Sequence, residues 1–162
     1  MTPGQRWPDE VAHLEVCPVR GLPIPASSGR DDAGKGRFGV NDPLAKLACA
    51  LGRRCGVCGQ PLDGPVVFLA LDRGADPAGL NFGDPGMHES CAAASMVLCP
   101  YIAKARVPSR VRDEAAKPGW VWVAAAGYEV VPGPALVGFR PVAVLAIRRF
   151  SYGPAGLAEA AA

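Results

Sequence analysis

The sequence has no long apolar run and no marked excess of one charge. A membrane-spanning helix needs about 18 or more apolar residues in succession, and no stretch of this 162-residue chain approaches that length. The net charge is +2, from 17 basic and 15 acidic residues, whereas a nucleic-acid-binding domain usually has a clear basic excess. Composition therefore argues against a membrane span and by itself gives nucleic-acid binding no support.

The first ten residues, MTPGQRWPDE, lack the apolar segment of a signal peptide. We therefore expect a cytoplasmic protein. Thiols stay reduced in that compartment. In that setting the six cysteines favour metal binding or redox chemistry over a framework of three disulfides. Histidine is scarce as well: besides His88 there is only His13, which lies in an irregular segment and is predicted to face solvent.

Two short motifs contain most of the candidate chemistry. A CxxC motif runs from Cys55 to Cys58, and an HxxC motif from His88 to Cys91 follows after 29 intervening residues. Three thiolates and one imidazole are a complete ligand set for tetrahedral zinc. Because four protein ligands leave no position for water, we expect a structural zinc ion. If water replaced one ligand, Glu89 would be the nearest candidate base.

Two other interpretations of the CxxC motif stay open at this point. Its cysteines could be ordinary core residues, or they could form a redox pair whose reactive thiol begins a helix. Gly56 and Gly59 disfavour a helix that starts at Cys55. They suit a tight knuckle in which backbone N–H groups point at the sulfur atoms.

The remaining three cysteines are predicted to lie outside the metal site. Cys99 follows Cys91 by eight residues, which is about 12 Å along a helix, so it cannot reach the same ion. Cys99 and Cys49 are therefore expected to be core residues. Cys17 is interpreted as an ordinary thiol, packed or exposed.

Two helices are predicted around these motifs. In the first, Asp42 is the N-cap and Pro43 the first residue, and Gly52 ends the helix. Four residues at helical spacing are expected to form its core-facing stripe: Leu44, Leu47, Ala48 and Leu51.

The second helix is predicted to begin at Pro85, with Asp84 as its N-cap, and to break at the Cys99-Pro100 pair. This placement puts His88 and Cys91 in its first turns at positions i and i+3. Side chains with that spacing lie on one face of a helix, about 5–6 Å apart at Cβ, and can bind one ion.

Strands are predicted from runs of β-branched and aromatic residues at 66–71, 120–123, 128–131 and 142–150. Trp120 and Trp122 fall on one face, which is expected to be core. The high content of glycine (20) and proline (17) predicts many loops. We expect an extended, flexible arm over residues 1–40, a single zinc-stabilised α+β domain over residues 41–152, and a frayed tail over residues 153–162.

The order of knuckle, strand, loop and helix start resembles a treble-clef zinc finger over about residues 53–104. The residues of the two motifs carry this resemblance, together with the glycine that follows the knuckle. The resemblance implies a zinc ion that joins the knuckle to the helix. The predicted fold class is therefore α+β: a treble-clef zinc module, a C-terminal antiparallel β-hairpin or small sheet, and an irregular N-terminal arm.

A looser resemblance covers about residues 40–125. The strings CGVCGQPL at 55–62, MHESC at 87–91 and CPY at 99–101 are similar to those of small actinobacterial and actinophage proteins. This second resemblance implies no particular activity.

A treble clef is also the core of HNH nucleases. An HNH nuclease is therefore the most obvious enzyme hypothesis for this fold. Those enzymes need a catalytic histidine on the hairpin after the knuckle. Residues 65–73 contain no histidine, and His88 is already assigned to the metal. We therefore do not expect HNH cleavage.

Basic residues flank the predicted finger and form the candidate contact surface for nucleic acid or a partner. They are either solvated charges or phosphate contacts, and comprise Arg53, Arg54, Lys104, Arg106, Arg110 and Arg112. Taken together, the sequence predicts a non-enzymatic, zinc-stabilised binding or adaptor protein with a protein partner. A nucleic-acid-binding zinc finger and a zinc-dependent or accessory biosynthetic enzyme are the alternatives.

Overall fold

The computed structural model describes residues 9–72, 74, 76–103, 119–133 and 136–150. Helices and small antiparallel sheets alternate along the chain. Among the described residues no helix is both long and apolar enough to cross a membrane. The elements are β1 (Ser28–Arg30), β2 (Gly36–Asn41), α1 (Pro43–Leu51), β3 (Val66–Leu71), a 3-10 turn (Pro77–Gly79), α2 (Glu89–Leu98), α3 (Pro100–Ala103), β4 (Trp120–Val131) and β5 (Gly138–Phe150).

The larger sheet is antiparallel, with strand order β3-β4-β5. Strand β4 is one continuous strand, although the sequence predicts two separate strands at 120–123 and 128–131. The small residues between them still pair with β5, as Ala125 with Val144 and Gly127 with Val142, after a register shift. The long β4–β5 hairpin confirms the prediction of a C-terminal antiparallel sheet.

The core is built on β3 and β4. Phe68 is buried, and the centroid of its ring lies 5.0 Å from the ring centroid of Phe82 and 6.0 Å from that of Tyr128. Tyr128 in turn contacts Phe139. Trp122 is buried, as predicted, whereas Trp120 is only partly so.

Helix α1 has the predicted ends, but most of its predicted core stripe faces solvent. Asp42 accepts hydrogen bonds from the N–H groups of Leu44 and Ala45, and Gly52 is the C-cap. However, Leu44 is 70% and Leu51 75% exposed and Ala48 is also exposed, so within the predicted core stripe only Leu47 packs partly against the core. The buried face contains Lys46, Cys49 and Ala50. The lysine can be buried because its Nζ donates to Gly83 O and pairs with Asp84.

Helix α2 begins at Glu89 with His88 as its N-cap, so the predicted start at Asp84 and Pro85 is wrong. The residues before His88 are held in an extended path instead. Met87 exchanges backbone hydrogen bonds with Val67 of β3, at 2.8 and 2.9 Å, and these contacts prevent an earlier helix start. The predicted break at Cys99-Pro100 is confirmed: Cys99 is the C-cap and Pro100 starts α3.

The N-terminal segment contains regular structure that its sequence pattern does not show. Strands β1 and β2 form an antiparallel hairpin where an irregular arm is predicted. The turn is stabilised by Asp31, whose Oδ1 accepts from the N–H groups of Ala33 and Lys35. The domain boundary at residue 41 stays a prediction, and the tail predicted over 153–162 lies outside the described residues.

Candidate metal centre

The four predicted ligands come together in one cluster. The potential ligand atoms of Cys55, Cys58, His88 and Cys91 all lie within 4.8 Å of one another. The three cysteines are buried, with Cys55 and Cys91 fully inaccessible, and the histidine is half-buried. The cluster could hold a metal ion.

The knuckle is a turn, so no helix begins at Cys55, as the glycines predicted. Gly59 has a φ of 75°, a left-handed conformation that costs other residues about 1–2 kcal/mol. This conformation lets the Gly59 N–H donate to Cys55 O at 2.9 Å, while the Cys55 N–H donates to Gln60 O at 2.8 Å. These bonds place the sulfurs of Cys55 and Cys58 on the same side of the turn as the other two ligands.

The other pair is positioned by the start of α2. The His88 backbone is extended and serves as the N-cap, but its side chain makes no capping hydrogen bond. Its Nε2 instead lies 2.8 Å from Pro61 O. A proton on Nε2, donated to that carbonyl, leaves Nδ1 as the acceptor and ligand atom. Nδ1 lies 3.4 Å from Cys58 Sγ and 3.9 Å from Cys91 Sγ.

These spacings fit a zinc tetrahedron. Zinc–sulfur bonds of about 2.3 Å and zinc–nitrogen bonds of about 2.0–2.1 Å give tetrahedral edges of about 3.5–3.8 Å. The two sulfur–nitrogen distances lie close to this range, and no two ligand atoms of the cluster are more than 4.8 Å apart. Closing the widest separation to a tetrahedral edge would need the ligand atoms to approach one another by about 1 Å at most. Thiolate and imidazole are also the donors that zinc prefers.

The electrostatics of the cluster place negative charge on one sulfur. A hydrogen bond from the Cys91 thiol, together with backbone N–H groups of the knuckle and of His88, lowers the pKa of Cys55 to about 4, against the effect of burial. The bond to Cys55 and burial raise the pKa of Cys91. Burial raises the pKa of Cys58. A divalent cation would allow all three cysteines to ionise together, because it stabilises all three thiolates at once.

His13, which is predicted to face solvent, lies beside the cluster. Its ring is exposed, but its Nε2 lies 3.0 Å from Cys58 O. Together with Asp9 and Glu10 it lines a depression of about 360 Å³ that reaches His88 and Cys91. Sequence reasoning missed this histidine because it is 45 residues away from the knuckle it contacts.

The basic residues of the predicted contact surface are only partly described. Arg53 lies over the ring of Tyr128, with Cζ 5.2 Å from the ring centre. Arg54 donates from Nη1 to Gly59 O at 3.1 Å. Both residues are exposed, so they face solvent while making these contacts. The other four candidates lie outside the described residues: Lys104, Arg106, Arg110 and Arg112.

The remaining cysteines are free thiols away from the cluster. Cys49 is buried, as predicted. Cys99 is only partly buried at the end of α2, and burial raises its pKa. Cys17 is partly buried in the N-terminal segment. Glu89 is exposed and is not one of the four clustered residues.

No protein-family model, curated protein or solved structure matches this chain. The functional interpretation therefore depends on the geometry of the chain itself. Its clearest functional feature is a cluster of three cysteines and one histidine that could hold a metal ion.

Proposed function

We propose that this chain is a zinc-stabilised binding protein whose zinc ion has a structural role. The observation that carries the proposal is the convergence of four protein ligand atoms within 4.8 Å. Four such ligands fill a tetrahedral shell, and structural zinc sites are closed in this way, whereas catalytic sites keep one position for water.

The arrangement further supports a treble-clef module. A knuckle provides Cys55 and Cys58, a strand follows at Val66–Leu71, and the N-terminus of α2 provides His88 and Cys91. The strand after the knuckle finds its partner in the distant β4. Zinc bound here would join the knuckle to α2 and so fix both against the core.

Zinc would then contribute directly to folding. The unfolded chain has no preformed ligand set, so the free energy of metal binding stabilises the folded state. The ligands are also core residues, since Cys55, Cys58 and Cys91 belong to the same buried cluster as Phe68 and the β4 side chains. Metal removal is therefore expected to loosen the core itself.

The solvent-facing side of α1 is the surface we propose for a protein partner. Leu44, Ala48 and Leu51 lie at positions i, i+4 and i+7 and are all exposed. Apolar residues with this spacing form one face of a helix, and such a face commonly docks into a groove of another protein. Scattered single leucines would need no explanation, whereas their alignment along one face of a helix supports the proposal of an interface here.

The test of this surface is a comparison of matched variants. The zinc-loaded wild type and the variants Leu44→Glu and Leu51→Glu are used as bait in extracts of the source cells. Val19→Glu is the control, because Val19 is 90% exposed outside α1. We expect a partner that binds the wild type and Val19→Glu but not the α1 variants. A partner retained equally by all four proteins would place the interface elsewhere.

A zinc-dependent enzyme is the second candidate, favoured by the depression beside the cluster. His13, Asp9 and Glu10 are groups that can act as acids or bases, and they line a space next to two ligands. The cobalt-substituted protein separates the two candidates. A tetrahedral visible spectrum that added azide does not change supports a closed structural site. A spectrum that changes with azide supports an open, catalytic one.

A further inference from the structure

A second, larger cavity of about 780 Å³ is lined in part by the knuckle residues Gly56 and Val57 but by none of the four clustered residues. One wall comes from the N-terminal segment and the β1–β2 hairpin, including Leu22 and Phe38. The other comes from β3 and the helices that follow it, including Leu69, Ala94 and Leu98. Its volume is within the range of about 300–1,000 Å³ that is typical of ligand pockets.

The charges around this cavity restrict what it can bind. Among the described lining residues only Asp84 is charged, and it is paired with Lys46, whose Nζ lies 2.7 Å from Asp84 Oδ1. A carboxylate or phosphate ligand would therefore find no cationic partner on the described walls, and burying an unpaired charge is costly. The cavity thus favours an uncharged ligand.

A few polar groups interrupt the apolar lining. The hydroxyl groups of Ser27, Ser28 and Tyr101 and the amide of Asn41 are on its walls. Ligand pockets commonly combine an apolar lining with a small number of such groups, which set the orientation of the ligand. We infer that this cavity binds an uncharged, largely apolar small molecule that has one or two hydroxyl or carbonyl groups.

The cavity shares a wall with the metal-binding knuckle. Gly56 and Val57 line it, and their carbonyls accept hydrogen bonds from Ser27 and Ala26, at 3.0 and 2.9 Å. A metal bound by the cysteines of this turn would hold the wall in place. The inference goes beyond the proposed partner-binding role, since it requires the folded, zinc-loaded chain but no partner protein.

The first experiment compares two fluorescent probes that share one ring system. The zinc-loaded protein is titrated with N-phenyl-1-naphthylamine, which is uncharged, and with 8-anilinonaphthalene-1-sulfonate, which is anionic. We expect saturable binding of one uncharged probe per chain and binding of the anionic probe weaker by about tenfold or more. Equal or tighter binding of the anionic probe, or no saturation with either, would overturn the inference.

A pair of variants on α2 locates the probe. Ala94 is buried against the cavity, whereas Val97 is 64% exposed and is not among the lining residues. Ala94→Phe fills the cavity and should weaken binding of the uncharged probe by about tenfold, while Val97→Phe should leave it unchanged. Equal affinities of the two variants would show that the probe binds elsewhere.

A measurement on the wild type covers the case in which Ala94→Phe does not fold. Cys99 lines the cavity and Cys17 does not. Bound N-phenyl-1-naphthylamine should slow alkylation of Cys99 by N-ethylmaleimide and leave the rate at Cys17 unchanged, as read by peptide mass spectrometry. An unprotected Cys99 would contradict the assignment. So would probe binding that disappears as the protein concentration rises, because a second copy of the chain would then cover the cavity.

Discussion

Lys46 Nζ lies 2.7 Å from Asp84 Oδ1 and 2.8 Å from Gly83 O. This contact joins the buried face of α1 to the segment that leads to His88 and the start of α2. The two partners differ in environment, since the lysine side chain is 6% exposed and the aspartate side chain 63% exposed. That asymmetry determines how much unfolding free energy is lost when either residue of the pair is substituted.

We predict that Asp84→Asn destabilises the protein more than Lys46→Met does. Asp84→Asn leaves a buried ammonium group without its counter-charge, which should cost about 1–3 kcal/mol of unfolding free energy. Lys46→Met removes the buried charge and leaves an aspartate that water can solvate. Urea unfolding of the zinc-loaded proteins measures both, with Lys35→Met at an exposed position as the control. A larger loss for Lys46→Met than for Asp84→Asn would disprove this account.

The hydrogen bond from His88 Nε2 to Pro61 O should increase the affinity for zinc beyond what the ligand atom itself provides. His88→Ala removes a ligand and is expected to abolish stoichiometric zinc binding and to lower the melting temperature. His88→Cys provides a fourth thiolate but loses the anchor to Pro61, so zinc should still bind, about 10–100-fold more weakly. Competition with a chromophoric chelator measures the affinities.

The control for the ligand variants is Cys99→Ala, which removes a cysteine outside the cluster. It should keep one zinc per chain and the wild-type affinity. Loss of zinc from Cys99→Ala, or full zinc binding by His88→Ala, would show that the ligand set is assigned incorrectly.

The left-handed conformation of Gly59 should be required for a stable knuckle. Gly59→Ala places a Cβ on a residue with φ of 75°, which should cost about 1–2 kcal/mol and weaken zinc binding. Gly64→Ala is the matched control, because its added Cβ would meet nothing within 4 Å and its φ is not in that region. It should change stability by about 0.5 kcal/mol or less. Equal effects of the two substitutions would be evidence against strain at Gly59.

The Asp72–Arg149 ion pair should make stability depend on pH in the acid range. Hydrogen bonds from Arg149 and from the Gly74 N–H lower the pKa of Asp72. A lowered folded-state pKa adds stability above the unfolded-state value of about 4, and this stability is lost as the pH falls through the lower folded-state pKa. Asp72→Asn should therefore cost about 0.2–1 kcal/mol at pH 7.

The difference between wild type and Asp72→Asn should then shrink as the pH falls below about 4. Asp63→Asn, at an exposed position, is the control and should follow the wild type. Denaturant unfolding at a series of pH values provides the comparison. A difference that grows towards acid would mean that the sign of the pKa shift is wrong.

Several structural features could be predicted because they depend on neighbours in the sequence. The ends of α1 follow from Asp42, Pro43 and Gly52, and β3 from an unbroken apolar run. The clustering of the four metal-site residues also followed from two spacings, CxxC and HxxC. The helix ends and the strand are set within a few residues, where capping acts directly. The meeting of the two pairs joins residues 30 positions apart, and it was predicted because together the pairs complete one tetrahedral ligand set.

Other features depend on contacts between distant parts of the chain, and their prediction failed for that reason. The spacing of Leu44 and Leu51 matched a core face, yet Lys46 is the buried residue because Gly83 O accepts its hydrogen bond. That carbonyl is 37 residues away, so the local pattern does not reveal it. Asp84 fits the pattern of an N-cap, but it pairs with Lys46 instead. Met87 is extended along β3, so the helix begins only at Glu89.

The sequence by itself determined the donor set of the centre, three sulfurs and one nitrogen, and the local turns that present them. Only the tertiary structure decided that His13 lies beside Cys58, that α1 turns Leu44 and Leu51 to solvent, and that a cavity forms beside the knuckle. The physical reason is that ligand type and turn geometry are properties of short segments. Burial is a property of the whole fold, because each side chain competes for a limited interior and a polar group can enter it only where a distant partner satisfies it.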